Sequence, residues 1–304
     1  MTIAEQKEIA GLLALSLRVG CDPLLVQASS GNTSIKLNGV LWIKASGKWL
    51  ARAMEPDSFV QLPLASLRES LDKNEDVSAI GGPSIETAMH AVIPRQVVIH
   101  VHSVNTIAWA VRLDAEQRLA VRLAGLPWTW IPYVASGLPL ARAIKSALAV
   151  SPDAKIFVLA NHGIVVCGDD CAAAEDLLST VEDRLAVVPR DEPQWADPVT
   201  ARILEGGILY PCHAMFFGAK PFLCSETLSD SAWASMTDTQ RTVLGGLLEV
   251  VRRIDDGAPI RYLSDTEVSD LLTHDVHRYV ESVEKNAVKA EAPLAAPAAA
   301  RAGN

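Results

Sequence analysis

Residues 83–105 read PSIETAMHAVIPRQVVIHVHSVN, and they constrain the fold more than any other stretch because they place a carboxylate and two histidines around a forced helix-to-strand change. A helical run opened by Glu86 must end at Pro94, which has no backbone N–H and clashes with the preceding turn. Residues 97–103, VVIHVHS, then predict a strand. His100 and His102 stand two apart on it, so the pleat aims both imidazoles at one face. Alternating with Ile99 and Val101, they form a polar pair in an apolar run, which is costly to bury unless something binds it. A half-exposed strand with histidine on its polar face is the plain reading. Two ligands of a metal site is the sharper one, and it requires further ligands from elsewhere.

At 304 residues the chain can hold one large core or two domains. Its 49% hydrophobic and 21% charged content is that of a globular protein. A net charge of -9, without a dense Lys/Arg cluster, argues against a nucleic-acid partner and for a small ligand whose charge must be met locally. The five cysteines (Cys21, Cys167, Cys171, Cys212 and Cys224) are odd in number and lack C-x-x-C spacing, which points to free thiols in the cytoplasm. The N-terminal apolar stretch has no basic segment before it and is interrupted by Ser16 and Arg18, so neither a signal peptide nor a membrane span is expected.

In chain order, Thr2 and Glu5 form a capping box for a first helix reaching Val19, with Gly20 as its stop. Asn38-Gly39 between residues 34–37 and 40–45 predicts a hairpin with a type I′ turn. That hairpin brings together the small polar loops at 29–32 and 46–47. Their exposed N–H and hydroxyl groups can cradle an anion, although for such loops taken alone ordinary turn chemistry is the commoner explanation. A strand is expected at 59–64, helices at 65–73, 105–112, 115–124, 138–150 and 169–188, and further strands at 128–134, 155–159 and 164–167. Strands and helices intermix, with an early hairpin and a histidine-bearing central strand, which favours an α/β sandwich. Beyond Pro189 we expect a linker, a small hairpin at 214–223, a helix at 239–254, and another capped by Ser264 and Glu267 that reaches about residue 286. The alanine- and proline-rich end reads as a disordered tail. This divides the chain into 1–190, a mainly helical extension at 191–290, and a tail at 291–304.

His162 lies between a buried-type strand and a glycine, where a side chain is both fixed and accessible. A lone histidine of this kind often just satisfies a backbone group. With Glu86, His100 and His102 it would complete a three-nitrogen, one-oxygen set suited to zinc or another divalent transition metal.

The chain resembles the class II aldolase/adducin family over roughly residues 5–190, through SSGNTS at 29–34, KASG at 44–47, PSIET at 83–87 with HVHS at 100–103, and LANHG at 159–163. The resemblance implies a three-layer αβα sandwich with a central, mainly antiparallel sheet. It implies a divalent metal on His100, His102 and His162, with zinc first and manganese or another transition metal as alternatives. Glu86 becomes the acid/base beside the metal, and Asn32, Ser46, Gly47 and Ser84, with Gly31 through its backbone, become the substrate's anion site. Within IPYVASG, Tyr133 is the candidate catalytic tyrosine from a neighbouring subunit; an interfacial or half-buried tyrosine is the alternative. The family also implies a homotetramer. Two departures stand out: Ile85 replaces a serine that many sugar-phosphate aldolases have before the acid, and the chain runs on past residue 190, where YPCHAMFFG at 210–218 is similar to an extension of longer members. His213 in that patch either approaches the site or packs, and packing is the ordinary expectation. His90, one helical turn beyond Glu86, is read as structural.

The implied activity is a metal-dependent carbon–carbon lyase acting on a small carbohydrate-like substrate, a ketose or ketose phosphate. Retro-aldol cleavage proceeds through an enediolate, with the metal as Lewis acid. Glu86 would move a proton on the enediolate side and Tyr133 one at the departing aldehyde oxygen. The same site could decarboxylate a 3-oxo sugar acid or epimerise by retro-aldol and re-addition, although epimerases of this kind tend to carry Asp at the position of Glu86. A metallohydrolase draws support from the ligands alone. A non-catalytic adducin-like binding protein is the rival of another class, and retention of all three histidines argues against it.

Overall fold

The type I′ hairpin lies within the sheet, with further strands on both sides of it. In a computed structural model, which describes residues 2–75, 77, 82–190, 197–219, 234–273 and 276–285, β1 (Asn32–Leu37) and β2 (Val40–Lys44) pair antiparallel. Asn38 and Gly39 between them have φ of 47° and 79°, as that turn requires. β3 (Phe59–Pro63) adds outside β2; β4 (Val97–Val101) pairs with β1, β7 (Gly163–Gly168) with β4, and β6 (Ile156–Leu159) with β7. All of these pairings are antiparallel; β5 (Trp128–Ile131) then joins β6 in parallel, giving a seven-stranded sheet ordered β3-β2-β1-β4-β7-β6-β5.

Alternation along β4 divides the core. Val97, Ile99 and Val101 pack with Leu12 and Leu15 of α1 (Ile3–Gly20) and with Leu178 and Val181 of α7 (Cys171–Leu185). Val98 faces the opposite way, with Met89 of α3 (Thr87–Val92) and Leu140 and Ile144 of α6 (Leu138–Val150). α2 (Leu64–Asp72) completes that second layer through Leu67 and Leu71, which pack with Leu41 and Ile43. The αβα sandwich with a mainly antiparallel sheet is therefore present. His100 has the parity of Val98 and so faces the layer that contains α3 and Glu86.

α4 (Val104–Ala110) and α5 (Ala115–Arg122) follow the strand that bears the histidines. Val104, Ile107 and Val111 form one buried cluster with Ile203 and Leu204 of α8 (Pro198–Glu205) and with Leu244, Leu247 and Val251 of α10 (Asp238–Val251). The extension is mostly helical among the described residues, and one detail differs from the sequence reading. In place of a hairpin beginning at 214, residues 214–217 lie in α9 (Pro211–Phe217), which Pro211 opens at its first turn and Gly218, at φ 87°, closes; residues 220–223 lie outside the described residues. The run after Ser264 is helical over α11 (Asp265–Thr273) and α12 (Val276–Lys285), with the expected reciprocal Ser264–Glu267 cap at the start; residues 274–275 lie outside the described residues. Cys224 and the tail at 291–304 are also outside the described residues. Among the described residues, no helix is long and apolar enough to cross a membrane.

Candidate active site

Three imidazoles converge at one end of the sheet. His100 comes from β4, opposite Asn32 on one side and Val165 on the other. His102 follows the end of β4, and His162 sits in the β6–β7 turn after Asn161, whose φ is 50°. A β-carbon at Gly163 would collide with the Val101 carbonyl, so the glycine lets the turn lie against the strand. Ring centroids are 5.0, 5.0 and 4.9 Å apart, and one nitrogen from each ring falls within 4.8 Å of the others. His100 Nδ1 donates to the Ile164 carbonyl at 3.0 Å, which turns Nε2 inward. That Nε2 is buried without a hydrogen-bond partner, 3.3 Å from Glu86 Oε2 but out of line with it.

An orphaned buried nitrogen beside two more imidazoles fits a divalent ion, since three protein ligands with one open position are the usual catalytic zinc arrangement. Burial holds His102 and His162 down, the latter to about 4, so both are neutral as ligands must be. Burial pushes His100 in the same direction, but the Glu86 charge outweighs it and leaves His100 raised.

Glu86 occupies the N-cap position of α3, at φ -91° and ψ 8°. Its carboxylate spans the cluster, with Oε2 at 3.3 Å from His100 Nε2 and Oε1 at 3.3 Å from His162 Nε2. Oε2 also accepts from Asn32 Nδ2 at 2.7 Å, and Oε1 from the Ser136 hydroxyl at 3.3 Å. Burial opposes its ionisation, yet the charge of the neighbouring imidazoles, His100 above all, wins and holds the carboxyl well below its usual range. Behind it, Asn32 Nδ2 also donates to Ser84 Oγ at 3.1 Å, while Asn32 Oδ1 accepts from His90 Nε2. His90 Nδ1 in turn accepts from the Ser34 hydroxyl at 2.7 Å. Every member of this chain is buried.

The expected anion-binding residues gather beside this cluster. Gly31, at φ 67°, passes so close to the His100 carbonyl that a β-carbon would collide. The Ser46 N–H donates to the Gly82 carbonyl at 2.9 Å, and Ser84 Oγ accepts from both Asn32 and the Glu86 N–H. Gly47 faces Ser282 of α12. Tyr133 is not joined to these groups: its ring lies 5.2 Å from the Arg261 guanidinium and packs with Ile208, Ala214 and Leu263, and burial raises its hydroxyl pKa.

Several neighbours escaped the sequence reading. Ser136 lies in the IPYVASG stretch that singled out Tyr133. Cys212 brings its thiol to 3.4 Å from His102 Nδ1, and Tyr279 bonds to Ser29 at 2.9 Å. Lys44, buried within KASG, donates to the Ser29 and Lys48 carbonyls, and burial lowers it to about 7 against the pull of Glu86. Local signals existed only for Ser136 and Lys44; the other two reach the site through long-range packing. His213 packs: its Nδ1 accepts from the Leu209 N–H at 3.3 Å.

Residues 11–188 match the family described as Class II Aldolase and Adducin N-terminal domain. The uncharacterized oxidoreductase YuxG of Bacillus subtilis (strain 168) is 28% identical over 186 residues, which is 54% of this chain and 27% of that protein. The chain thus spans about a quarter of that relative's length. Among solved structures, the N-terminal class II aldolase domain of a conserved protein from Thermoplasma acidophilum shares the fold at a TM-score of 0.52 and 22% identity, covering 59% of this chain and 92% of that one. A sugar-phosphate aldolase from Thermotoga maritima aligns at a TM-score of 0.48 and 15% identity, over 60% and 93% of the two chains. With the matched region extending from α1 through α7, across the whole seven-stranded sheet, the chain belongs to the class II aldolase and adducin N-terminal domain family.

Proposed function

We propose that this protein is a metal-dependent carbon–carbon lyase that cleaves a small ketose or ketose phosphate by a retro-aldol reaction. The observation that carries the reading is the Glu86 carboxylate, 3.3 Å from both His100 and His162 and held ionised at the edge of three converging imidazole nitrogens. His100, His102 and His162 would hold the ion, and an all-nitrogen triad favours zinc. A divalent ion held there supplies Lewis-acid stabilisation of the negative charge that develops on the substrate's carbonyl oxygen as the bond breaks.

Breaking the carbon–carbon bond leaves an electron pair that delocalises onto that oxygen, and a proton must then be delivered to carbon. Glu86, ionised at rest, would first take up the proton that the substrate loses from the hydroxyl becoming the aldehyde carbonyl and then give it to that carbon; Asn32 and Ser136, which hold its two oxygens separately, support that role. A positioned acid or base of this kind contributes about 10²- to 10⁴-fold. Tyr133 is the candidate for relaying the proton from the departing aldehyde oxygen, reaching in from a second copy of the chain. Burial of the triad excludes water from the charged intermediate.

The test combines metal analysis with turnover. Protein as purified should carry about one divalent ion per chain, and His100→Ala or His162→Ala should lose it. Glu86→Gln should keep the ion while losing about 10²-fold or more in kcat. Full metal occupancy in both histidine variants would sink the ligand set, and an active Glu86→Gln enzyme would remove the proton carrier. Ketoses, ketose phosphates and 3-oxo acids are screened with aldehyde and carbon dioxide scored separately; carbon dioxide without aldehyde would move the assignment to a decarboxylase.

A further inference from the structure

Part of the hydrogen-bonding capacity of the polar loops that would receive a substrate phosphate is taken up by other partners. Asn32 Nδ2 is divided between Ser84 and Glu86, the Ser84 oxygen accepts two hydrogen bonds, and the Ser46 N–H is bound to the Gly82 carbonyl. Lys44, the ammonium beside them, donates to two backbone carbonyls. Ile85, where a further hydroxyl would help, is an aliphatic side chain, 44% exposed.

Over these loops lies α12. The Tyr279 hydroxyl bonds to Ser29 at 2.9 Å, and Trp49 Nε1 donates to the Val283 carbonyl at 3.4 Å. The Ser282 side chain fills the space where a β-carbon at Gly47 would stand. Val283 is fully buried with Ala28, Trp49 and Val243, and Tyr279 and Phe217 pack around them. A phosphate dianion entering here would have to displace this contact and separate Tyr279 from Ser29 and Trp49 from the Val283 carbonyl, and leaving buried polar groups unpaired is expensive. A sugar hydroxyl both donates and accepts, so it can share the hydroxyls of Ser29, Tyr279 and Ser282 without that cost.

We propose that α12 is a fixed filling of the anion cradle, and that Tyr279 and Ser282 make this lyase selective for an unphosphorylated ketose, whose hydroxylated end lies against them. The substrate preference rests on the lyase reading; the filling of the cradle does not. Hydrogen exchange is therefore measured on the full-length protein as purified, with and without inorganic phosphate. Phosphate should leave segments 29–32, 46–47 and 276–285 unchanged in the wild type. In the Tyr279→Ala/Ser282→Gly double variant it should protect the two loops and bind about tenfold or more tighter than to the wild type.

Equal loop protection in the wild type would overturn the proposal. So would phosphate-driven loosening of 276–285, which would make α12 a displaceable lid, and so would a folded double variant that gains no phosphate binding. If the double variant does not fold, the wild-type exchange decides alone. In turnover, kcat/KM for a free ketose should exceed that for its phosphate ester by about tenfold or more, and the reverse order would overturn the selectivity. Absence of turnover with both, or absence of metal, counts against the lyase reading and leaves the exchange result to judge the cradle.

Discussion

Asn32 is held at both ends, and its orientation decides what Glu86 meets. With Oδ1 accepting from His90, Nδ2 must face the carboxylate; a flipped amide would set oxygen against oxygen. The Asn32 carbonyl oxygen therefore makes His90 a donor at Nε2, and the Ser34 hydroxyl, able to donate or accept, donates to Nδ1. His90→Leu should therefore lower kcat of the metal-saturated enzyme by about 10- to 100-fold, the usual cost of losing an outer partner of a metal site, while metal remains bound. His90→Gln, whose amide can still donate to Asn32, should recover most of it. Steady-state kinetics with kcat and KM resolved separately checks this, and a His90→Leu enzyme with wild-type kcat would refute it. The spacing of Glu86 and His90 showed only that they share a helix face. That Asn32 comes between them depends on the β1–β4 register, which sets Asn32 opposite His100 and which no local pattern records. The histidine pair was legible because a strand's period of two is strict. His162 emerged from strand-and-glycine context, whereas Cys212 and Tyr279 come from the helical extension and leave no local trace.

Among the elements, those with strong end signals were legible. The Thr2–Glu5 capping box is present in α1, and Asn38-Gly39 closes its hairpin. α9 was misread because Ala214 onward was taken without Pro211, whose place at the first helical turn and whose partner Gly218 mark a short helix. The sheet order, and the parallel β5–β6 pair within it, reflect long-range pairing that composition does not encode. The extension also proved to share a core with α4, directly after His102. Leu247, fully buried among Val104, Ile107 and Leu204, ties α10 to that helix. Leu247→Ala should cost about 2–5 kcal/mol in urea unfolding. Because the cluster is common, far-UV circular dichroism and tryptophan fluorescence should move together in one transition. Two separate transitions, with only one displaced by the variant, would show that the extension folds independently.

For the whole molecule, the buried imidazoles outweigh the net charge of -9 in setting the response to acid. Among the histidines with described side chains, burial lowers His90, His102, His162 and His213, the last two to about 4, while His100 is raised by Glu86. A depressed histidine is neutral in the folded chain but takes up a proton in the unfolded chain below its ordinary value of 6.5, so the unfolded state binds more protons and stability falls with pH. The loss begins near 6.5 and continues toward 4, and each pKa unit between the two states is worth about 1.4 kcal/mol. His100 acts in the opposite sense, but among the histidines with described side chains one raised group stands against four lowered ones. The Glu86 carboxylate, held low, adds its own loss only below its ordinary 4.5, so the upper part of the window belongs to the histidines. After removal of metal with a chelator, the urea midpoint should fall steadily from pH 7 to pH 5. Metal-loaded protein should start higher and fall more steeply, because protons also compete with the ion for His100, His102 and His162. A metal-free midpoint that stays flat over this range would mean that water reaches these imidazoles, and that the site is open where the packing of α9 and α12 closes it.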